Sequence, residues 1–585
     1  MWELPDPRTF DSLLDLIEDA SRRYDGKPQL ALRTDEGRLL EWSARELDHR
    51  SRLAAWRLRR LGLQPGDRLL TWSPATPALP AVYFGAMRAG VVVVPLDLRM
   101  APDVLRRIAD SAGAEWLAIG TGFEAPDAQV GGLAHLHSRT VESLSADPPH
   151  QNAAGSDEGG LDEAFPADWQ QQVEAWEKPT RDTLFEVIYT SGTTGMPKGV
   201  MLNHGTILST LEAIAKILPP REHRTVSLLP ASHLFDQAPV LFFGTMIGAE
   251  ILYLRSRTPK VIFEALAEQR VTTMVVVPQL LQLFWNGIER EVKRQGKERL
   301  FNTSRRIARF LPYWARRLLF RRVHQRLGGH LRLFVSAAAF LPPALQEAWE
   351  GLGVIVLQGY GATECGPAAA TSEKDHPTGT VGKTVAPVRL KLAEGTNEIL
   401  VGGPTLFQGY WQDPAATAAV MEDGWYHTGD VGRFDERGNL VLMGRTRNII
   451  VLPNGLNVFP EDIENVLEEV GLAQAIVLET APGRIEAVVL SPDAPPMITP
   501  TNPAPPPPST DAERKALEER IDAIVRQANK RLGQHQRLDG WRLWPEQDFP
   551  RTHTLKIKRG EVHRRIGADT ALPLHESADG DNQLS

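Results

Sequence analysis

Short runs of apolar residues, several of them rich in valine, alternate with amphipathic helical segments along the chain, and this alternation strongly limits the possible folds. Residues 91–95, 273–277 and 331–335 read as buried strands. Strands that alternate with helices pack as α/β layers with largely parallel sheets. We therefore predict an α/β fold. A large multi-layer N-terminal domain would combine α/β subdomains with a β-rich subdomain, and a small mobile α+β domain would follow.

The length of 585 residues is too great for one hydrophobic core, so two or more domains are expected. A Gly-rich β region, residues 402–443, ends just before a candidate boundary at residues 444–448. Downstream, residues 448–452 read as a new strand, and Pro460 followed by acidic residues marks the start of a helix. We predict an N-terminal domain at 1–445, a C-terminal lid domain at 446–570 and a disordered tail at 571–585.

Composition excludes several classes of protein. The net charge of −8 gives no general attraction to nucleic acid, and the sequence has no zinc-finger spacing. Cys365 is the only cysteine, which rules out an intramolecular disulfide and a cysteine cluster for metal. The acidic N-terminus does not resemble a signal peptide, and the longest apolar stretch, residues 238–254, is short for a membrane span. We expect a cytoplasmic protein with no nucleic-acid partner.

Residues 189–199 (Tyr-Thr-Ser-Gly-Thr-Thr-Gly-Met-Pro-Lys-Gly) combine four hydroxyl side chains, three glycines and one lysine. An apolar run, residues 184–188, precedes them and a segment that reads as a helix follows. Glycines let backbone N–H groups surround phosphate oxygens, while hydroxyls add donors and lysine adds charge. The spacing does not match a Walker A loop, and a mobile surface loop is the alternative. The candidate phosphate-binding residues are Thr190, Ser191, Gly192, Thr193, Thr194, Gly195 and Lys198.

These eleven residues resemble the phosphate-loop signature of the adenylate-forming superfamily. That superfamily contains acyl-CoA synthetases, luciferases and the adenylation domains of peptide synthetases. The resemblance implies that the chain binds ATP and activates a carboxylic acid. By itself it indicates the superfamily and leaves the acid open.

A second glycine-rich segment, residues 358–366, follows the apolar run 354–357. Its aromatic ring can stack on a base, its hydroxyl can donate to phosphate and its carboxylate can bind Mg²⁺. A tight turn with a core tyrosine is the alternative. The segment resembles the superfamily's Tyr-Gly-x-Thr-Glu motif, which implies that Tyr360 packs on adenine, Thr363 meets the α-phosphate and Glu364 binds Mg²⁺ with Thr190. The implied nucleotide-binding residues are Gly359, Tyr360, Gly361, Thr363 and Glu364.

Residues 425–430 resemble the next signature of the superfamily, with His427 where many members have arginine. The resemblance implies that Asp430 accepts hydrogen bonds from the ribose hydroxyls, and both oxygens of a carboxylate are suited to a vicinal diol. Arg445 would be the second ribose contact. Arg447 falls at the position where relatives pivot, and an exposed arginine beside a linker is the alternative.

Residues 229–235 resemble the histidine motif that lines the acyl channel in this superfamily. The resemblance implies that His233 lies near the substrate carboxylate and the exit for pyrophosphate. A histidine with a purely structural role is the alternative. The ordinary pKa of histidine lies near neutrality, which is compatible with either role.

Residues 549–559 resemble the C-terminal lysine motif, although Leu555 replaces the usual glycine. Lys556 aligns with the catalytic lysine. A cation is needed because charge develops on both reactants when a carboxylate attacks the α-phosphorus. Lys558 is the nearest rival, and an exposed basic strand is the alternative. The variant motif resembles the long-chain fatty acyl-CoA synthetase branch, in which a loop containing Gly455 would approach the reaction centre for the second step.

An insertion-like stretch, residues 302–329, is strongly basic. Between Arg305 and Arg326 it has eight arginines and no acidic residue, and aromatic residues and leucines are interleaved. A basic helix with aromatic content suits an anionic bilayer, which would bring the enzyme to its fatty acid. A solvated helix paired with acidic patches of its own domain is the alternative.

The resemblance implies a two-step reaction in which a fatty, long-chain carboxylate and ATP give acyl-adenylate, and coenzyme A then displaces AMP. The expected partners are a fatty acid, coenzyme A, ATP and Mg²⁺, with no nucleic acid. A homodimer and peripheral contact with the inner face of the membrane are further candidates. The alternatives are a fatty acyl-AMP ligase that loads a carrier protein, an aryl- or other-acid CoA ligase, and a non-catalytic acyl-nucleotide-binding module.

Overall fold

The fold is described from a computed structural model of the chain. It covers residues 4–34, 37–121, 132–147, 165–190, 197–219, 221–256, 258–453, 456–472, 474–481, 483–492, 510–551, 557–568 and 574–576.

The strands of the first three sheets lie between residues 28 and 384. They are β1 (Pro28–Arg33), β2 (Leu39–Ser43), β3 (Arg68–Trp72), β4 (Val92–Pro95), β5 (Trp116–Ile119), β6 (His137–Thr140), β7 (Leu184–Thr190), β8 (Lys198–Asn203), β9 (Arg224–Ser227), β10 (Glu250–Leu254), β11 (Thr273–Val276), β12 (Leu333–Ser336), β13 (Ile355–Ala362), β14 (Gly366–Ala370) and β15 (Lys383–Thr384).

The later strands form a β-rich sheet and the C-terminal sheets. They are β16 (Arg389–Leu392), β17 (Glu398–Gly402), β18 (Met421–Glu422), β19 (Trp425–Phe434), β20 (Leu440–Arg445), β21 (Ile450–Val451), β22 (Asn457–Val458), β23 (Ala475–Ala481), β24 (Arg484–Val489), β25 (Gly540–Leu543) and β26 (His575–Glu576).

Helices connect and cover these sheets. They are α1 (Leu13–Arg23), α2 (Ala44–Arg60), α3 (Ala78–Ala89), α4 (Pro102–Ala112), α5 (Val141–Ser145), α6 (Trp169–Glu174), α7 (His204–Ile217), α8 (Leu234–Asp236), α9 (Phe243–Ile247), α10 (Pro259–Glu268), α11 (Pro278–Arg294), α12 (Glu298–Ala308), α13 (Tyr313–Leu319), α14 (Arg321–Arg326), α15 (Pro343–Gly351), α16 (Pro414–Ala418), α17 (Pro460–Glu469), α18 (Asp511–Asn529) and α19 (Arg559–Ala568).

Three sheets make up the α/β layers. Their strand orders are β6-β5-β3-β4-β7-β8, β2-β1-β10-β9 and β11-β12-β13-β14-β15. Within them the β3–β4, β4–β7, β1–β10 and β11–β12–β13 pairs are parallel, as the alternation of strands and helices predicts. The predicted strands at 91–95, 273–277 and 331–335 correspond to β4, β11 and β12. The α/β prediction is confirmed.

The prediction that a helix directly follows residues 189–199 is wrong, because a strand comes before the helix. Strand β8 comes first, pairs antiparallel with β7, and is followed by α7. Helix α7 begins only after Asn203, whose side chain accepts a hydrogen bond from the Thr206 N–H and so caps the helix. The loop therefore joins two strands of one hairpin.

The β-rich region is an antiparallel sheet ordered β16-β17-β19-β18, with β20 also paired to β19. It lies downstream of β13–β14, a hairpin whose first strand continues a parallel sheet. This arrangement brings the end of β13 and the middle of β19 together. The predicted site residues Tyr360 and Asp430 lie on those two strands.

The C-terminal part has buried clusters of its own. One contains Ile450, Ile463 and Trp541, and a second contains Ile476, Val562 and Ile566. The buried members of the remaining clusters all lie at or before Leu440. The predicted helix after Pro460 is present as α17, so the C-terminal part combines helices and strands, as the predicted fold class requires.

The chain end and the question of membrane-spanning helices complete the description of the fold. Within the predicted tail, β26 pairs antiparallel with β25, and the His575 ring stacks on Trp541 with centroids 4.1 Å apart. Among the described residues, no helix combines the length and apolar character needed to cross a membrane.

Candidate functional site

The β13–β14 hairpin positions the predicted Tyr-Gly-x-Thr-Glu residues. Tyr360 and Gly361 lie within β13, so the strand runs through the motif and turns only at residues 363–365. A Cβ on Gly361 would lie 2.1 Å from the Gly366 carbonyl oxygen, so the hairpin requires glycine there. The turn leaves Thr363 and Glu364 partly exposed, where they can reach a ligand.

Tyr360, Asp430 and Arg445 form one connected group. The Tyr360 hydroxyl donates to Asp430 Oδ2 at 2.8 Å, and Arg445 Nε lies 3.0 Å from Asp430 Oδ1. Asp430 and Arg445 face each other across the β19–β20 pair, so strand register fixes their ion pair. Burial, with the nearby Asp430 charge as a smaller cause, raises the pKa of Tyr360 well above its ordinary value. The tyrosine therefore stays neutral and acts as a donor.

Glu364 belongs to a second group that the sequence did not predict in full. The Tyr410 hydroxyl donates to Glu364 Oε1 at 3.1 Å, and Lys198 Nζ lies 4.8 Å from the centroid of the Tyr410 ring. Tyr410 is buried, so its ring is a fixed support between the carboxylate and the ammonium. Lys198 and Glu364, predicted from separate motifs, thus contact the same side chain.

Close packing holds β8 against the segment that carries Tyr410. Val200 and Tyr410 form an antiparallel bridge, and the Trp411 N–H donates to the Gly199 carbonyl at 2.7 Å. A Cβ on Gly199 would lie 2.7 Å from Val187 and 3.1 Å from Tyr189. The last glycine of the predicted loop is therefore required by strand packing.

His233 begins the helical segment formed by α8, a π-helical stretch at Gln237–Phe242 and α9. Its Nε2 lies 3.2 Å from Asp97 Oδ2, and Arg99 Nη2 lies 2.8 Å from the same oxygen. Burial would raise the pKa of Asp97, but hydrogen bonds from His233 and Arg99 hold it well below its usual range. Asp97 is thus a fixed anion that orients the imidazole ring.

A buried carboxyl lies in β7, the strand that leads into the phosphate loop. Glu186 is fully buried, and the Gln237 amide donates to its Oε1 at 2.8 Å. Burial raises the pKa of Glu186 to about 8, so the group is protonated at neutral pH. Gln237 lies in the π-helical stretch beyond His233, so this contact joins the phosphate-loop strand to the histidine segment.

Some predicted site residues lie outside the described residues. These are Ser191, Gly192, Thr193, Thr194, Gly195, Gly455, Leu555 and Lys556. Their neighbours are described. Thr190 ends β7, with Oγ1 3.5 Å from the Lys198 carbonyl oxygen, and Gly359 lies in β13 next to Tyr360.

The C-terminal unit approaches the β19–β20 edge near Arg445. The Asn448 amide donates to Glu461 Oε1 at 2.6 Å, and a Cβ on Gly444 would lie 2.8 Å from Glu461 Oε2. Arg559, the last residue of the predicted lysine motif, is ion-paired with the partly buried Glu464. Burial raises the pKa of Glu464 to about 7, partly offset by the Arg559 charge. Lys558, the alternative candidate to Lys556, has its Nζ 3.8 Å from Glu561 Oε2.

The donor set of the site suits a magnesium nucleotide. Glu364 and Thr190 offer the hard oxygen ligands that Mg²⁺ prefers, and Mg²⁺ commonly takes one or two protein ligands and fills its shell with water and phosphate oxygens. No group of three or more His, Cys, Asp or Glu side chains that could hold a metal ion occurs in the described ranges.

Cys365 lies between the two groups but offers no nucleophile. The thiol is buried, and burial raises its pKa to about 12, with smaller contributions from Glu364 and Asp430. Thiols react as thiolates, so this side chain is inert at neutral pH.

Sequence reasoning missed Asp97, Arg99 and Tyr410. Asp97 and Arg99 follow β4, at the carboxyl end of a parallel strand where ligand-binding residues collect, so their position carried a usable signal. Tyr410 lies in the stretch 402–412, which has no charged residue, and nothing in its local pattern separates it from a core aromatic residue.

Part of the chain matches the model of a known protein family, and most of it is similar to known enzymes. The model of the family described as "AMP-binding enzyme" matches residues 17–411. The chain is 28% identical over 566 residues to the long-chain-fatty-acid–CoA ligase FadD15 of Mycobacterium bovis, covering 90% of each chain. It is 28% identical over 506 residues to a long-chain-fatty-acid–CoA ligase of Salmonella typhimurium, covering 79% of this chain and 81% of that one.

Solved structures share the fold. The anthranilate CoA ligase AuaEII, crystallised with anthranoyl-AMP, superposes with a TM-score of 0.72 at 19% identity, covering 97% of this chain and 99% of that chain. A Mycobacterium tuberculosis fatty acyl CoA synthetase superposes with a TM-score of 0.62 at 19% identity, covering 96% and 99%. At these identities the likeness establishes the architecture, a large N-terminal region followed by a smaller C-terminal one.

Proposed function

The chain belongs to the AMP-binding enzyme family, and from this premise we propose that it is an AMP-forming ligase joining a long-chain fatty acid to coenzyme A. The observation that carries the proposal is the connected group Tyr360–Asp430–Arg445 beside the pair Glu364–Tyr410. This group offers one neutral donor, one carboxylate for a diol and one carboxylate for a metal. The nearly full-length similarity to long-chain-fatty-acid–CoA ligases supports the choice of acid and acceptor.

The first step forms an acyl-adenylate. A carboxylate oxygen of the fatty acid attacks the α-phosphorus of ATP, and the bond from that phosphorus to the bridging oxygen breaks, releasing pyrophosphate. Tyr360 would pack against adenine, Asp430 and Arg445 would hold the ribose, and Thr363 would donate to the α-phosphate. Lys198 would face the phosphates from its position on Tyr410. Mg²⁺, when held by Glu364 and Thr190, would neutralise phosphate charge.

The second step transfers the acyl group. The sulfur of coenzyme A attacks the acyl carbonyl carbon, the bond from that carbon to the AMP oxygen breaks, and the thiol proton is lost to solvent or to a base. No protein nucleophile takes part, which agrees with the inert Cys365 thiol. We propose that Gly455 lets its loop approach the carbonyl in this step.

We propose that His233 orients the acid for attack. The Asp97 carboxylate holds Nε2 of the ring through a 3.2 Å contact, so Nδ1 is left to face the acyl carboxylate or the departing pyrophosphate. Asp97 acts through His233 and is a positioning residue. Arg99 neutralises the buried anion and keeps it ionised.

We propose that the boundary between the two domains lies at residues 445 and 446. Separate buried clusters on either side support this division, since a unit with its own core can move as a body. The C-terminal domain would bring Lys556 to the α-phosphate in the first step and the Gly455 loop in the second. The Arg559–Glu464 ion pair anchors the start of α19 at the end of the lysine motif.

The reaction is tested with purified protein, ATP, Mg²⁺, palmitate and coenzyme A. AMP, pyrophosphate and the thioester should form in equal amounts, and removal of Mg²⁺ should stop the reaction. Acyl-adenylate that accumulates without thioester would indicate a fatty acyl-AMP ligase serving a carrier protein. Turnover only with aryl acids would contradict the fatty-acid assignment, and ATP binding without turnover would contradict catalysis.

Lys556→Ala separates the two half-reactions. The variant should lower palmitate-dependent exchange of pyrophosphate into ATP by about a hundredfold or more, because a charge placed at the transition state is lost. Thioester formation from supplied acyl-AMP should be much less affected. Lys558→Ala is the matched control and should retain exchange. Equal loss of both half-reactions in Lys556→Ala would contradict the role proposed for Lys556.

The location of the protein, its oligomeric state and its contact with a membrane stay predictions. They are a cytoplasmic location, a homodimer, and contact of residues 302–329 with a membrane surface.

A further inference from the structure

The insertion helices, which we define as α12, α13 and α14, expose an unusual number of large apolar side chains. Of the eleven such side chains exposed in the described part of the chain, six lie between residues 300 and 319. Phe310 is 90% exposed, Trp314 67% and Leu318 65%. An exposed apolar cluster of this kind marks a contact site in soluble proteins. The six are Leu300, Ile307, Phe310, Trp314, Leu318 and Leu319.

The six side chains lie on consistent faces. Leu300 and Ile307 are seven residues apart on α12, and Trp314 and Leu318 are four apart on α13, so each pair shares one side of its helix. Phe310 lies between the two helices. The opposite sides are anchored, since Ala308 and Phe320 are buried. The helices therefore have an inner face that packs on the protein and an outer face without cover.

Six of the eight arginines divide into two sets, which composition alone did not reveal. The other two, Arg309 and Arg326, lie 3.8 and 2.8 Å from carboxylate oxygens of Glu347 and Glu291. Arg316 donates to the Leu311 and Glu350 carbonyls at 2.8 and 2.9 Å, and Arg317 donates to the Leu331 carbonyl at 2.6 Å. The Arg305 guanidinium lies 4.8 Å from the centroid of the Trp285 ring. These three hold the insertion helices on the rest of the protein.

A second set is directed to solvent. Arg306, Arg321 and Arg322 are exposed, and none has a hydrogen-bond or ion-pair partner among the described residues. No acidic residue occurs in the sequence between Glu298 and Glu347, although the whole chain has a net charge of −8. The insertion helices thus combine exposed apolar side chains with three arginines whose charge no described residue pairs.

We propose that the outer face of the insertion helices docks on an anionic lipid bilayer. Phe310, Trp314 and Leu318 would enter the boundary between headgroups and acyl chains, and Arg306, Arg321 and Arg322 would meet the lipid phosphates. Charge complementarity selects this occupant, because three exposed arginines without an ion-pair partner in the described ranges favour an anionic surface. Apolar side chains on helices that also carry basic residues are the pattern of helices lying in the membrane interface. Tryptophan favours the same zone.

The test measures binding, so its failure is distinguishable from failure of the proposed reaction. Full-length protein is sedimented with vesicles of phosphatidylglycerol or of phosphatidylcholine at low and moderate salt. We expect binding to phosphatidylglycerol that weakens as salt rises, and little binding to phosphatidylcholine. No sedimentation with phosphatidylglycerol at low salt would overturn the proposal.

The charged half is tested with Arg306→Gln, Arg321→Gln and Arg322→Gln combined. At about fivefold for each arginine, the triple variant should bind phosphatidylglycerol vesicles roughly a hundredfold more weakly. The matched control combines Arg106→Gln, Arg514→Gln and Arg537→Gln, which change three exposed arginines elsewhere. Equal weakening by the control would mean that total charge governs binding, and would overturn the assignment to this face.

The apolar half is tested with Phe310→Ser and Trp314→Ser combined. This variant should lose about tenfold or more of vesicle affinity and retain its melting temperature. Its control combines Leu40→Ser and Phe434→Ser, two exposed apolar residues remote in sequence from the insertion. Vesicle binding unchanged by the Phe310 and Trp314 substitutions would overturn the proposal. A dimer in solution that dissociates on these substitutions would also overturn it, because a second copy would then cover the face.

Discussion

The nucleotide-site group and the outer face of the insertion helices differ in whether their side chains have partners within the protein. At the site, Tyr360, Asp430 and Arg445 bind one another, and Glu364 accepts from Tyr410. On the insertion helices, Phe310 and Trp314 extend into solvent and Arg306 has no partner in the described ranges. The first group is held in place before a ligand arrives, which favours orientation and rate. The second is completed only by a partner.

The largest expected effect breaks the connected group. Asp430→Ala should lower kcat/KM for ATP about a hundredfold, since two charge-assisted bonds of about 1.5 kcal/mol each would be lost. Tyr360→Phe removes only the hydroxyl that meets Asp430 and should cost about tenfold or less. Steady-state kinetics at varied ATP measure both. An Asp430→Ala enzyme with unchanged ATP kinetics would show that the group is a structural element with no contact to the nucleotide.

The next expected effect is on the free energy of unfolding, through the buried carboxyl of Glu186. Burial raises the pKa of Glu186 to about 8 from an ordinary value of 4.5. Between these values the folded chain keeps a proton that the unfolded chain releases, so this group lowers stability as pH rises. Glu186→Gln should therefore increase the free energy of unfolding relative to the parent by about 3 kcal/mol at pH 7, and by little at pH 4.5.

Denaturant unfolding at several pH values checks the Glu186 prediction. Glu177→Gln is the matched control, because Glu177 is exposed and its substitution should be neutral at every pH. A difference between Glu186→Gln and the parent that does not depend on pH would indicate that the carboxyl is ionised in the folded protein.

A smaller effect lies in the segment after β12, between the insertion helices and the site. Ala338 has φ +68°, a left-handed conformation in which a Cβ is unfavourable by about 1 kcal/mol. Ala338→Gly should raise the free energy of unfolding by up to about 1 kcal/mol. Ala339→Gly, at an exposed neighbour without positive φ, should lower it slightly. Stabilisation by both substitutions, or by neither, would contradict this explanation.

The smallest expected effect concerns the exposed aromatic side chains on the outer face of the insertion helices. Phe310→Ser with Trp314→Ser should change kcat/KM for a short, water-soluble acid by less than about twofold and the melting temperature by less than about 2 °C. These side chains contribute little to the core, since both are mostly exposed. A large fall in melting temperature would mean that they pack against the protein in solution.

Sequence alone predicted the elements that depend on local patterns. Strand β11 and helix α17 were expected from a valine-rich run and from Pro460 followed by acidic residues, and both are present. The intervening strand β8 was missed because its short mixed sequence has no period, and the helix-capping residue type at Asn203 was not used to place the helix start. Local signals therefore placed elements better than they placed boundaries.

Contacts between distant residues were beyond prediction. The Asp97–His233 pair joins the end of a strand to the start of a helix far along the chain, and the Glu364–Tyr410 bond joins a turn to a Gly-rich segment. Neither pair has a spacing that a motif records. In the same way, composition counted eight arginines in the insertion but could not separate Arg317, which caps a carbonyl, from Arg321, which faces solvent.

The short strand β26 has a consequence for solubility. It covers part of the free side of β25, where an unpaired row of backbone donors and acceptors would otherwise offer a template to other chains. Among the described residues, two cross-strand residue pairs and the stacking of His575 on Trp541 hold this cover in place. A chain truncated before residue 574 would open that edge, and its failure would be gradual aggregation on storage with the catalytic rate of fresh protein unchanged.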